Sequence, residues 1–145
     1  MRLILKTKVK GHYLRVMERF DLDLFEALKP IGAQMEVVQF TGSKTGDIVE
    51  LKFVSPIKAE WISKITDHGS NRDSAYFVDE GEVLPFPLQQ WKHRHIVERV
   101  DDDYSIIVDD IQYSSGFWLL DLLLYPAMFV GFYPRKFSYR KYFGT

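Results

Sequence analysis

The segment Gln90–Val100 reads QWKHRHIVERV, and its alternation of aromatic or apolar residues with charged ones is typical of a β-strand. Because successive side chains of a strand point to opposite faces, Trp91, His93 and His95 lie on one face of the predicted sheet. Val97 continues that face, and mostly charged residues occupy the other. The segment therefore places two imidazoles beside a tryptophan on one face. They can contact a ligand if this face turns toward the interior, and they are surface residues if it turns outward.

Alternation and turn residues predict six further strands. They are Arg2–Lys10, Met35–Phe40, Asp47–Val54, Glu60–His68, Ser74–Glu80 and Tyr104–Tyr113. Short loops join most of them, which favours antiparallel pairing over crossover helices. Between the first two strands, the apolar residues of His12–Leu28 have helical spacing, and Asp21 or Asp23 can begin a second short helix.

The last part of the chain, Phe117–Phe143, is aromatic and compatible with a helix, with breaks expected near Pro126 and Pro134. A sheet with one apolar face needs a helix to cover it, and this segment can do so. We therefore predict a single α+β domain over residues 1–145. A curved antiparallel sheet of about seven strands wraps around a long C-terminal helix, with two short helices after the first strand.

Composition excludes several classes of protein. The chain of 145 residues has 19 Lys and Arg against 20 Asp and Glu, and this balance offers no general attraction for nucleic acid. It has no cysteine, which excludes disulfides and thiolate metal sites and suits the cytoplasm. The apolar run Phe117–Phe132 is shorter than the roughly 20 residues of a transmembrane helix and contains Asp121, so we expect no integral membrane segment.

Four motifs are distributed along most of the chain: Phe77-Val78-Asp79-Glu80, Trp91-Lys92-His93-Arg94-His95, Asp109-Asp110-Ile111-Gln112-Tyr113 and Phe137-Ser138-Tyr139-Arg140. Together they resemble the SRPBCC superfamily, which includes START domains, the major birch-pollen allergen and polyketide cyclases. The resemblance is to the branch of cell-division-inhibitor-like, ligand-binding SRPBCC proteins. It departs from that branch at two turns, Phe86-Pro87-Leu88 and Ser114-Ser115-Gly116. The resemblance implies a helix-grip fold with an internal cavity for a hydrophobic or amphipathic molecule.

Candidate ligand-binding residues come from these motifs and from the aromatic segment. They are Phe77, Asp79, Trp91, His93, His95, Asp109, Ile111, Tyr113, Met128 and Phe129. We favour an interpretation in which the histidines brace the strands through Asp79 or Asp109, because buried polar groups normally find partners. Ligand contact by at least one histidine, or acid–base chemistry near neutral pH, remains open. His-x-His spacing can supply two metal ligands, but no sequence motif supplies a third, so we predict neither a metal nor another cofactor.

The leading functional hypothesis is a binding module that carries, sequesters or senses a small hydrophobic or amphipathic molecule. One alternative is an enzyme of the cyclase or dehydratase type, in which the His and Asp residues move protons on a carbonyl compound. Another is a protein-interaction module that uses the aromatic C-terminal segment, where an exposed apolar patch is then expected. No catalytic motif identifies a reaction. The basic residues from Arg135 to Lys141 are predicted to be a solvated helix end.

Overall fold

The computed structural model describes residues 1–29 and 33–145, which form seven strands and four helices. In chain order these are β1 (Arg2–Lys10), α1 (Tyr13–Glu18), α2 (Leu22–Ala27), β2 (Gln34–Phe40), β3 (Ile48–Ser55), β4 (Ala59–Ser70), β5 (Ser74–Val83), β6 (Gln90–Arg99), β7 (Tyr104–Ser114), α3 (Trp118–Phe132) and α4 (Arg135–Phe143). The predicted order of elements is confirmed.

The seven strands form one antiparallel sheet in the order β1-β7-β6-β5-β4-β3-β2. Consecutive strands from β2 to β7 are neighbours, and β1 adds to the free edge of β7. The strand with the two histidines, β6, therefore lies between β5 and β7. In this register His93 lies opposite Asp79 and Ile111, while His95 lies opposite Phe77 and Asp109. The sheet thus brings the three central motifs of the sequence side by side.

The C-terminal segment is a pair of helices rather than one. Helix α3 continues through Pro126 and ends at Phe132, and Pro134 is the residue that precedes the first turn of α4. Pro134 suits that place because a proline lacks the backbone N–H that the first turn of a helix leaves unpaired. The break predicted near Pro134 is confirmed, whereas Pro126 does not interrupt the helix.

Two buried clusters lie on the concave face of the sheet. The first packs α1, α2 and α4 against the sheet through residues that include Val16, Leu24, Val97, Ile107 and Tyr139. The second lies under α3 and is formed by Leu3, Leu5, Trp91, Ile111 and Tyr113. The sequence alternation of β1 and β6 accounts for both, because every second side chain of these strands is buried.

Among the described residues, no helix combines the length and the apolar character that crossing a membrane requires.

Candidate ligand-binding cavity

A cavity of about 210 Å³ lies between the concave face of β2–β6 and the helices α2, α3 and the start of α4. Its walls are mainly apolar. Eight aromatic side chains provide much of them, namely Phe20, Phe25, Phe40, Phe53, Trp61, Phe77, Trp91 and Phe132. An apolar cavity of about 150 Å³ is enough to accommodate a benzene ring, so this volume suits a molecule of one aromatic ring with substituents.

Six of the ten predicted ligand-binding residues line this cavity. They are Phe77, Asp79, Trp91, His93, His95 and Met128. Five of these lie on β5 and β6, since the inward faces of these strands turn toward the void. The sixth, Met128, lies on α3, one helical turn before Phe132, which also lines the cavity.

The other four predicted residues lie elsewhere. Asp109 is buried beneath His93, and Ile111 and Tyr113 belong to the cluster under α3. The hydroxyl of Tyr113 donates a hydrogen bond to the backbone carbonyl of Asp121 at 2.9 Å. Phe129 follows Met128 in α3 and therefore points about 100° away from it around the helix axis. It is 39% exposed and stacks on Tyr133.

The polar wall of the cavity is centred on the carboxylate of Asp79. Its Oδ2 atom accepts a hydrogen bond from Nε2 of His95 at 2.7 Å, and its Oδ1 atom accepts one from the indole nitrogen of Trp91 at 3.1 Å. Phe77 stacks on the ring of His95, with ring centres 4.2 Å apart. The side chains on either side of Asp79 therefore fix its orientation toward the cavity.

A second carboxylate, Asp109, lies behind this wall. Its Oδ1 atom accepts hydrogen bonds from Nε2 of His93 at 2.9 Å and from the hydroxyl of Tyr139 at 3.2 Å. The guanidinium of Arg135 forms an ion pair with the same oxygen at 3.5 Å. The rings of His93 and His95 are stacked with centres 3.6 Å apart, so the two hydrogen-bonded His–Asp pairs form one continuous cluster. We name the four residues Asp79, His93, His95 and Asp109 the His–Asp cluster.

Burial and charge set the protonation of the His–Asp cluster. Burial, reinforced by the neighbouring His93, lowers the pKa of His95 to about 4. Burial alone would raise the pKa of Asp109, but the hydrogen bond from His93 and the charge of Arg135 outweigh it and lower that pKa to about 2. The pKa of Asp79 is also lowered, because the hydrogen bond from His95 and the charge of His93 overcome the effect of burial. At neutral pH both carboxylates are ionised and His95 is neutral.

The predicted solvated end of the last helix is wrong for Arg135. Its side chain is only 14% exposed and lines the cavity, while Arg140 and Lys141 are exposed as expected. The reason is the helix break. Arg135 begins α4 instead of ending a long helix, and with Tyr139 four residues later it lies on the buried side of α4.

Sequence reasoning also missed other residues at the site, among them Phe20, Phe53, Phe132, Trp61 and Tyr139. Trp61 of β4 packs edge-on against Trp91, with ring centres 4.7 Å apart, and Phe20 contacts Phe77 and His95. A signal existed for Tyr139, because it belongs to the Phe137–Arg140 motif, and for Phe132, which lies in the aromatic C-terminal segment.

Neither a family model nor a curated protein matches the chain by sequence. Solved structures do match its fold. Protein CV1439 from Chromobacterium violaceum superposes with a TM-score of 0.72 at 12% identity, over 99% of this chain and 97% of that one. Norcoclaurine synthase of Thalictrum flavum superposes with a TM-score of 0.63 at 14% identity, over 87% of this chain and 82% of that one. The Zhui aromatase/cyclase of Streptomyces sp. R1128 superposes with a TM-score of 0.59 at 11% identity, over 98% of this chain and 95% of that one.

The chain therefore shares the fold of these solved structures, a curved antiparallel sheet with C-terminal helices against its concave face, and this is the helix-grip fold that the sequence resemblance implied. At these identities the matches show the fold alone, and the function has to be argued from the cavity and its residues.

Proposed function

We propose that the protein binds a small hydrophobic or amphipathic molecule in the cavity, as a carrier, a sequestering protein or a sensor. The observation that carries this proposal is the cavity of about 210 Å³, which has aromatic walls and one polar side. Ligand sites of this kind combine apolar walls for affinity with a few placed polar groups for orientation. The comparisons add that norcoclaurine synthase, which shares the fold, was solved in complex with a transition-state analogue.

The charge of the polar wall defines the preferred ligand further. Asp79 and Asp109 are ionised, and Arg135 supplies one compensating positive charge while His95 is neutral. Like charges repel strongly when they are removed from water, so a carboxylate ligand is disfavoured at this wall. We infer a ligand whose polar end is a hydroxyl, an amine or another neutral or cationic donor that reaches Asp79.

Isothermal titration calorimetry with 4-bromophenol, a one-ring amphipathic probe, tests the proposal. The substitution Val49→Phe adds a ring to the cavity wall, and Val38→Phe adds the same ring at a 55% exposed position of β2. We expect submillimolar binding by the wild type, at least tenfold weaker binding by Val49→Phe, and no more than a twofold change in Val38→Phe. Equal affinities of the two variants, or no binding by the wild type, would contradict the proposal.

A cyclase- or dehydratase-type enzyme is the second candidate. It is favoured by the convergence of Asp79, His93 and His95 on one cavity, where His95 is neutral and able to accept a proton. Deuterium exchange at the α-carbon of phenylacetone, followed by NMR, tests for proton transfer to a bound carbonyl compound. Exchange that is catalysed by the wild type and by His68→Gln, and lost in His95→Gln, supports the enzyme. The absence of catalysed exchange counts against it.

A third candidate is self-association through α3. Its outward side is strongly apolar, with Trp118 71% and Leu123 and Val130 each 69% exposed. The acidic residue of α3, Asp121, is buried and accepts a hydrogen bond from the backbone N–H of Ser115. An uncharged apolar face of this kind is self-complementary across a two-fold axis, the commonest symmetry of protein oligomers.

Light scattering during size-exclusion chromatography tests this third candidate. We expect a dimer for the wild type, a monomer for Leu123→Glu, and a dimer for Ile57→Glu, which introduces the same charge at a 74% exposed residue outside α3. A monomeric wild type at concentrations of tens of micromolar would refute the dimer.

A further inference from the structure

We propose that Asp79, His93 and His95 form a binding site for a divalent transition-metal ion, Zn²⁺ being the natural choice, in the wall of the cavity. Each residue offers one ligand atom, and the three atoms lie within 4.8 Å of one another. The sequence supplied the two histidines but no third ligand, and the pairing of β5 with β6 brings Asp79 to them. The site goes beyond the binding of an organic ligand and does not depend on it.

The distances fit an ion after small shifts. Oδ2 of Asp79 lies 2.7 Å from Nε2 of His95 and 3.8 Å from Nδ1 of His93. A tetrahedral ion with bonds of about 2.1 Å separates its ligand atoms by about 3.4 Å, a value between these two distances. The third pair of ligand atoms, on the two stacked imidazoles, also lies within 4.8 Å, so shifts of about 1 Å together with a tilt of the rings convert the hydrogen-bonded arrangement into a set of ligands.

The groups behind the site hold two of the ligands in place. His93 uses Nε2 for its hydrogen bond to Asp109, which leaves the lone pair of Nδ1 on the side of Asp79. A histidine that ligates a metal usually donates its other N–H to a carboxylate in this way, which fixes the ring and its tautomer. The indole N–H of Trp91 plays the corresponding part for Asp79 by binding Oδ1 and leaving Oδ2 for the ion.

The third ligand, His95, has a buried ring nitrogen without a hydrogen-bond partner among the described residues. This atom is Nδ1, and Oδ1 of Asp109 lies 4.0 Å away from it. When Nε2 carries the proton for Asp79, Nδ1 is an acceptor without a donor, which is unfavourable for a buried atom. When Nε2 binds a metal ion, the proton moves to Nδ1, which then faces the carboxylate of Asp109. Metal binding therefore gives this atom a favourable electrostatic neighbour.

Charge and ligand type select the ion. The two carboxylates exceed the one guanidinium by a negative charge when the histidines are neutral, so the wall favours a cation. Two imidazole nitrogens and one carboxylate oxygen suit Zn²⁺ or Co²⁺ better than Ca²⁺ or Mg²⁺, which prefer oxygen ligands alone. Three protein ligands also leave a fourth position, on the cavity side, as in zinc sites that bind a further molecule.

Titration of chelator-treated protein with Co²⁺ tests this proposal, because tetrahedral Co²⁺ absorbs strongly in the visible range. We expect one ion per chain for the wild type, displaced by Zn²⁺, and at least a tenfold loss of affinity in each of His93→Gln, His95→Gln and Asp79→Asn. The two histidines outside the site give the matched controls, because His12→Gln and His68→Gln must bind as the wild type does. Asp109→Asn, a change in a positioning residue, is expected to weaken binding by about 10- to 100-fold with unchanged stoichiometry.

Two results would overturn the site. One is the absence of the visible band and of Zn²⁺ binding in the wild type. The other is binding that survives in all three ligand variants, with their circular dichroism spectra intact, and disappears in the double variant His12→Gln/His68→Gln. Binding of 4-bromophenol is measured on the same samples. If the probe binds and Co²⁺ does not, the metal site fails while the proposed ligand-binding function stands.

Discussion

The two halves of the concave face follow the same alternation but differ in what covers them. In the packed half, the inner residues of β1, β6 and β7 lie under α1 and α4, and Val97, Ile107 and Tyr139 are completely buried. In the cavity half, Val49 and other inner residues of β3 and β4 border the void under α2 and the end of α3. The His–Asp cluster lies at the boundary. The difference shows that space for a ligand arises where the covering helices leave a gap. The packed half holds the polar wall of the cavity in position.

The largest expected effect is the loss of an aromatic ring from the packed half. Tyr139→Ala removes a completely buried side chain and its hydrogen bond to Asp109, so we expect it to lower the free energy of unfolding by about 3–5 kcal/mol. Phe53→Ala, at the edge of the cavity, is expected to cost less than half as much, because the void already adjoins that ring. Urea unfolding measures both. Equal losses would erase the distinction between the two halves.

The His–Asp cluster, at the boundary between the halves, is expected to make the free energy of unfolding depend on pH. Because the pKa of His95 is about 4 in the folded protein and about 6.5 when unfolded, the unfolded chain binds more protons between these values. The stabilisation that comes from the neutral form of His95 is therefore complete above pH 6.5. The free energy of unfolding falls as the pH drops toward 4, by about 3 kcal/mol for this residue at about 1.4 kcal/mol per pH unit.

Urea unfolding between pH 4 and 7, in buffer that contains a chelator, measures this dependence. The variant His95→Gln should show a flatter profile, whereas His68→Gln, which changes an exposed histidine, should keep the slope of the wild type. A wild-type slope that persists in His95→Gln would show that His95 is not held in its neutral form.

The smallest expected effect is the difference in stability between two substitutions that add the same ring, one in each half. Val97→Phe inserts a ring into a region without free space and is expected to cost about 1–3 kcal/mol. Val49→Phe inserts the same ring beside the void and should change the stability by less than about 1 kcal/mol. Thermal and urea unfolding of the two variants give the difference. A reversed order of the two costs would mean that the cavity half is as tightly packed as the other.

The sequence predicted the strands and the alternation of β6, because a period of two residues is a local property that one segment displays by itself. It left open which face of β6 turns inward, since that depends on what packs against the strand. It also predicted that Asp79 and Asp109 are partners of the histidines, and the hydrogen bonds confirm this pairing. The departures concern the burial of Arg135 and the course of α3 through Pro126 without a break. Both depend on how a distant segment packs against the sheet, which periodicity does not reveal.

The same limit explains why the sequence did not separate the residues of the cavity from those of the core. Met128 and Phe129 are neighbours of similar apolar character, and the rotation of α3 alone turns one inward and the other toward solvent. Trp61 and Phe20 reach the site from segments far from Trp91 in the chain, and no local pattern connects them.

A crystal structure of the protein soaked with 4-bromophenol tests the central claim most directly, because the anomalous signal of bromine locates the probe without interpretation. The cavity half is expected to hold the bromine among its aromatic walls, with the phenol hydroxyl directed to Asp79. A cavity filled by side chains, or a bromine signal confined to the exposed side of α3, would contradict the claim that the gap in the helical cover is a binding site.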